Sequence, residues 1–219
     1  MQPHLNRYPI LPTCLIGIKA IALEIMSSQA DHEQLEQTTH CPPPAWLQAI
    51  VSQLAALSSP LEVAQGLALL EPISVTAAAA SAWTRFDERF YTRTSVFRSA
   101  SAELLVMGWL GGQMSPLHNH RGSICALRVL AGEGLEVNYE RLNIGLLSPC
   151  SVSRQGVGFI SASADADVHQ VGNVKESPLV TVHLYSPPLE RAQYFAPSES
   201  VLFDQNAGLL AVRRKTEAV

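Results

Sequence analysis

The chain has 219 residues, 47% of them hydrophobic, which is enough for one domain with a sizeable core. A net charge of −4, with no basic run interleaved with aromatics, argues against a nucleic-acid or anionic-membrane partner. Four scattered cysteines (Cys14, Cys41, Cys125, Cys150) form no Cys-x-x-Cys pair, which speaks against a structural zinc site or a disulfide scaffold and for reduced thiols in a cytoplasmic setting.

In chain order, Leu11 to Leu23 is apolar but broken by Pro12, Gly17 and Lys19, too short and interrupted to span a bilayer. Arg7 ahead of it and Ala20-Ile21-Ala22 behind it faintly mimic a signal peptide, and Lys19 inside the stretch weakens that reading. Met26-Ser27-Ser28 reads as a natural start, so residues 1–25 are expected to be a mis-called extension or a disordered tail, within a partly disordered N-terminal extension over 1–41. After Pro42-Pro43-Pro44, the spacing of Trp46, Ile50, Leu54 and Leu57 predicts a helix. Ser58-Ser59-Pro60 ends it, and Leu61, Ala64, Leu67 and Leu70 predict a second. Ala77 to Ala80 suits a short third before Trp83.

From Phe90 the pattern changes to short strands punctuated by glycine, expected at 90–98, 102–110, 113–119, 123–131, 135–142, 157–161, 167–171 and 179–186. No βαβ unit, phosphate-binding glycine loop or internal repeat is present. The architecture expected is mainly β: one domain over 42–203, a small jelly-roll-like barrel with a helical cap over 42–89, then a tail over 204–219.

Four of the seven histidines (His118, His120, His169, His183) lie in the strand-rich part. His118 and His120 are two apart, so on a strand both rings project from one face and can offer nitrogens to one metal. A third ligand must come from a neighbouring strand, either His169 or His183. Spacing does not separate iron, zinc, manganese or nickel.

Gly112-x5-His118-x-His120-x4-Cys125-x6-Gly132 resembles the first motif of the cupins, with cysteine where many carry a glutamate ligand. His169-x3-Asn173 resembles the end of the second motif. Three histidines without the glutamate are similar to the thiol dioxygenase branch, and four further stretches resemble its cysteine dioxygenase family. These are Phe86-Asp87 with Tyr91-Thr92-Arg93, Trp109, Ser123-Ile124-Cys125, and His183-Leu184-Tyr185-Ser186-Pro187-Pro188. The resemblance implies Fe(II) held by His118, His120 and His169, and oxidation of L-cysteine by O2 to cysteine sulfinate. It also implies Arg93 on the substrate carboxylate with Tyr91 beside it, a Thr181–His183–Tyr185 relay, and a Cys125–Tyr185 thioether cross-link. A monomer is expected.

The alternative ligand set exchanges His169 for His183. Rival functions are a dioxygenase for another small thiol such as 3-mercaptopropionate, a non-catalytic metal- or ligand-binding cupin, and a zinc or manganese isomerase-type cupin. Arg93 argues against the first, since relatives favouring that substrate tend to carry glutamine there. Cys125 at the usual carboxylate position argues against the last.

Overall fold

The computed structural model describes residues 38–142, 146–164, 168–190, 192–195, 202–204 and 208–211. Residues 1–37 of the expected N-terminal extension, and most of the tail beyond 204, lie outside them.

A 3-10 turn, Ala45–Leu47, leads into helix α1 (Gln48–Ala55), followed by α2 (Val63–Leu70) and α3 (Ala77–Trp83). The starts of α2 and α3 have a local reason. The Glu62 backbone N–H donates to Gln65 Oε1 at 2.8 Å ahead of α2, and Thr76 Oγ1 accepts from the Ala79 N–H at 3.2 Å ahead of α3.

The strands are β1 (Thr38–His40), β2 (Thr92–Arg98), β3 (Glu103–Trp109), β4 (Leu117–Asn119), β5 (Ile124–Ala131) and β6 (Gly134–Arg141). They continue as β7 (Leu147–Gln155), β8 (Ile160–Ala164), β9 (Val168–Gly172), β10 (Leu179–Ser186), β11 (Gln193–Phe195), β12 (Leu202–Asp204) and β13 (Gly208–Ala211). One sheet has the order β1-β2-β3-β10-β5-β8, the second β11-β4-β9-β6-β7, and β12 pairs with β13. All pairings are antiparallel except β1 with β2.

The expectation of a mainly β chain holds, with one correction. Among the described residues no ladder joins one sheet to the other, so the expected barrel is a two-sheet sandwich that does not close. The helices expected as a cap lie against one of the two sheets. Leu47, Ile50, Leu54 and Leu70 pack into one cluster with Leu104, Val106, Val180, Val182 and Leu184, which makes the helices a layer on the outer face of the six-stranded sheet. Each of the leucines fully buried there contributes about 1.5–3 kcal/mol. The strand at 38–40, placed by sequence in the extension, instead edges this sheet beside β2.

Period-2 alternation puts the site on the opposite face. In β10, Val180, Val182 and Leu184 face the helices, while Leu179, Thr181, His183 and Tyr185 face the second sheet. The inner faces meet where Trp109, Leu127 and Val129 pack with Val171 of β9. The turn from β5 into β6 needs a glycine. Gly132 has φ +77°, and a Cβ there would lie 2.5 Å from the Pro178 carbonyl oxygen, against the start of β10.

Candidate metal centre

His118 on β4 lies directly opposite His169 on β9 in the antiparallel register, and His120 follows β4 two residues on. All three are buried, and one ring nitrogen from each lies within 4.8 Å of the others. The facing Nε2 atoms of His120 and His169 are 3.2 Å apart. Asn119, between His118 and His120, points the other way and accepts from the Gln193 backbone N–H at 3.2 Å, tying down β11.

Outer hydrogen bonds fix two of the three rings. His118 Nδ1–H donates to the Pro116 carbonyl at 2.8 Å, and His169 Nδ1–H donates to Glu136 Oε1 at 2.7 Å. Each leaves its Nε2 lone pair facing inward. Burial pushes His118 down to about 3, with His169 adding to the effect, and pushes His120 down to about 2, with His118 next. Neutral imidazoles with free lone pairs are the form that ligates a metal. This donor set, three buried imidazole nitrogens and no carboxylate, fits a divalent transition metal such as Fe(II).

His183 stands apart from that cluster. Its Nε2 is 2.9 Å from Thr181 Oγ1, and its Nδ1 is 3.3 Å from the Tyr185 hydroxyl. Trp109 Nε1–H donates to the same Thr181 oxygen at 2.9 Å. With one lone pair taken by Trp109, Thr181 is satisfied by donating its proton to His183 Nε2. Nδ1 then carries the ring proton and donates to Tyr185, whose own hydroxyl proton is left for the Cys125 sulfur beside it. Burial, with Arg93 next, pushes His183 down to about 3, in keeping with a neutral ring.

An open-mouthed cavity brings these groups together with Arg93 of β2, Tyr91, Cys125 and Trp109. Tyr91 stacks on Trp109 with ring centroids 4.3 Å apart and planes 20° from parallel. Burial works against the Arg93 charge, but the oxygens of Tyr185, Tyr91 and Glu103 outweigh it, so the guanidinium stays protonated. Tyr185 lies directly across the β10–β5 ladder from Cys125. Burial pushes the Cys125 thiol up to about 12 and lifts Tyr185 well above its ordinary value, so both are held in their protonated forms. All nine residues singled out from the sequence line this cavity except Thr181, which sits behind His183.

Four parts of the site escaped the sequence reading. Glu136 and Gln155 form the support behind His169, with Gln155 Nε2 donating to Glu136 Oε2 at 2.6 Å. The Trp109 indole has a polar role besides its packing. Tyr194 of β11, directly opposite His118, lines the mouth. Along β6, Glu136 alternates with the apolar Leu135, Val137 and Tyr139, and it is the Glu136 face that meets His169.

Residues 35–198 match the family described as cysteine dioxygenase type I. The chain is 31% identical over 121 residues to cysteine dioxygenase type 1 of Danio rerio, covering 52% of this chain and 59% of that one. It is 27% identical over 142 residues to the Bos taurus protein of the same name, covering 62% and 70%. The match therefore spans less than two thirds of the zebrafish relative's length. Among solved structures, a double-stranded β-helix protein from Klebsiella pneumoniae superposes with a TM-score of 0.42 at 19% identity, covering 52% of this chain and 92% of that one. With a family match that runs over most of its 219 residues, the chain belongs to the cysteine dioxygenase type I family.

Proposed function

We propose that the protein is an iron-dependent thiol dioxygenase that converts L-cysteine and O2 to cysteine sulfinate, both oxygen atoms ending on sulfur. The observation that carries this reading is one cavity shared by three inward imidazoles, a charged guanidinium and a protonated phenol. His118, His120 and His169 would hold the metal. When bound, ferrous iron supplies thiolate affinity and the oxygen chemistry.

The remaining work belongs to the chain. The planar fork of Arg93 suits the substrate carboxylate, and the Tyr91–Trp109 stack keeps the wall beside it rigid. Thr181 sets the ring of His183, which holds the Tyr185 oxygen in place beside the bound substrate. Met107, Leu127 and Val171 line the rest and exclude water.

Cys125 and Tyr185 are placed to form a thioether. Making the sulfur–ring carbon bond removes one hydrogen from each partner and passes two electrons to O2, the oxidant of the main reaction. The free thiols of Cys41, Cys125 and Cys150 suit a cytoplasmic setting. Among the described residues, no helix is long and apolar enough to cross a membrane.

The test is oxygen uptake by iron-loaded protein with L-cysteine, 3-mercaptopropionate and cysteamine. Cysteine is expected to be turned over best, because cysteamine lacks the carboxylate and 3-mercaptopropionate lacks the amine. A preference for 3-mercaptopropionate would reassign the substrate, and silence with every thiol would leave a binding protein.

A further inference from the structure

We infer that Glu136 is a positioning residue for the metal centre, a half-buried carboxylate that orients His169 and lends the three-histidine site a negative charge. The inference rests on the reading of His118, His120 and His169 as metal ligands, and it adds a fourth group that contacts one of them from behind.

Three observations carry it. The Glu136 carboxylate receives the His169 Nδ1–H at 2.7 Å, the shorter of the two outer bonds made by the ligand rings, and the other goes to a neutral carbonyl. That bond fixes the tautomer and aims the opposite nitrogen at the cluster. Second, the carboxylate is itself held. Gln155 is fully buried and donates its amide N–H to Glu136 Oε2 at 2.6 Å, which leaves its own Oε1 without a protein partner among the described residues. Turning the amide over would set oxygen against a carboxylate oxygen. The buried amide is therefore committed to Glu136.

Third, the ladder leaves little freedom. Asn138 pairs with His169 and Glu136 with Val171 across β6–β9, while Gly134 pairs with Gln155 across β6–β7. Paired residues share a face, so three adjacent strands set amide, carboxylate and imidazole in line on the inner side of the sheet.

The chemical consequence differs from that of a bare three-histidine site. Three neutral imidazoles leave the full charge of a divalent cation uncompensated. A carboxylate hydrogen-bonded to one ring draws its N–H proton outward and raises the basicity of the ligating nitrogen. It therefore favours metal binding and the higher oxidation state.

Glu136→Gln is the discriminating variant. It keeps the size and an oxygen to accept from His169, and its new amide N–H can be met by Gln155 Oε1 after rotation. Metal-free wild type, Glu136→Gln and Glu136→Ala would be titrated with Zn(II), and anaerobically with Fe(II), against a chromophoric chelator. The reduction potential of the iron-loaded proteins and the melting temperature of the metal-free ones complete the set. Affinity for both metals is expected to fall about tenfold in Glu136→Gln and about 10- to 100-fold in Glu136→Ala. The iron potential should rise in Glu136→Gln, with an unchanged metal-free melting temperature. Wild-type affinity and potential in Glu136→Gln would overturn the inference. So would a metal-free destabilisation that accounts for the whole loss, since that is a structural role. If the wild type binds neither metal, the ligand reading itself falls and the inference with it.

Discussion

Replacing Thr181 with valine isolates the hydroxyl that joins Trp109 to His183. Thr181 is 1% exposed, and its oxygen sits 2.9 Å from both Trp109 Nε1 and His183 Nε2. Valine keeps the branched shape and β-propensity but leaves an indole N–H and an imidazole nitrogen buried without partners. Each stranded group costs about 1–3 kcal/mol, partly offset because the hydroxyl's own desolvation disappears, so a net loss of about 2–4 kcal/mol is expected. Serine keeps the oxygen and loses one methyl, which costs about 0.5–1.5 kcal/mol. Urea unfolding of the metal-free proteins measures this difference. Oxygen uptake with L-cysteine measures the second effect. A His183 ring no longer held from behind lets the Tyr185 hydroxyl drift, and turnover in the valine variant should fall about 10- to 100-fold while the serine variant stays near wild type. A valine variant as stable and as active as the serine variant would refute the relay.

Arg93→Ala should weaken cysteine binding by about 2–5 kcal/mol, a rise in KM of about 30-fold or more, checked by steady-state oxygen uptake. Cys125→Ser should collapse a doublet on a denaturing gel to one band, because only the cross-linked form migrates as the more compact species. His183 stays neutral down to about pH 3 when folded, whereas an unfolded histidine takes its proton near 6.5. The unfolded chain thus binds the extra proton, and stability falls as pH drops from 6.5 towards 3, by about 1.4 kcal/mol per unit for this ring. His183→Gln should flatten that slope in denaturant titrations of the metal-free protein.

Much of the site could be read directly because it obeys short-range geometry. His118-x-His120 and Thr181-x-His183-x-Tyr185 need only the period of a strand to share a face. The helices at 48–55, 63–70 and 77–83 followed from apolar spacing and local caps. Strand geometry left His169 and His183 open as the third candidate ligand and the resemblance favoured His169; the β4–β9 pairing that sets His169 opposite His118 is a property of the sheet order and of no single segment. Three edge strands, β1, β7 and β11, were missed. The segment Leu147–Gln155 carries Pro149, serines and few apolar residues and was not among the expected strands, yet it lies at the edge of its sheet, where proline and polar side chains are tolerated. The short β11 offers three residues and almost no pattern.

Glu136 failed to stand out for a related reason. Both faces of β6 are covered, one by the site and the other by the cluster containing Tyr139, Leu117 and Phe195. The apolar face is therefore not the face towards the first sheet. The barrel was overpredicted because strand count and glycine spacing carry no information on whether the last ladder closes.

The centre of the account is that His118, His120 and His169 together hold one metal ion, with His183 standing outside. Metal content after anaerobic Fe(II) loading and desalting tests this in wild type, His169→Ala and His183→Ala. One iron per chain in the wild type and in His183→Ala, with loss in His169→Ala, is the result expected. Iron retained in His169→Ala and lost in His183→Ala would contradict it.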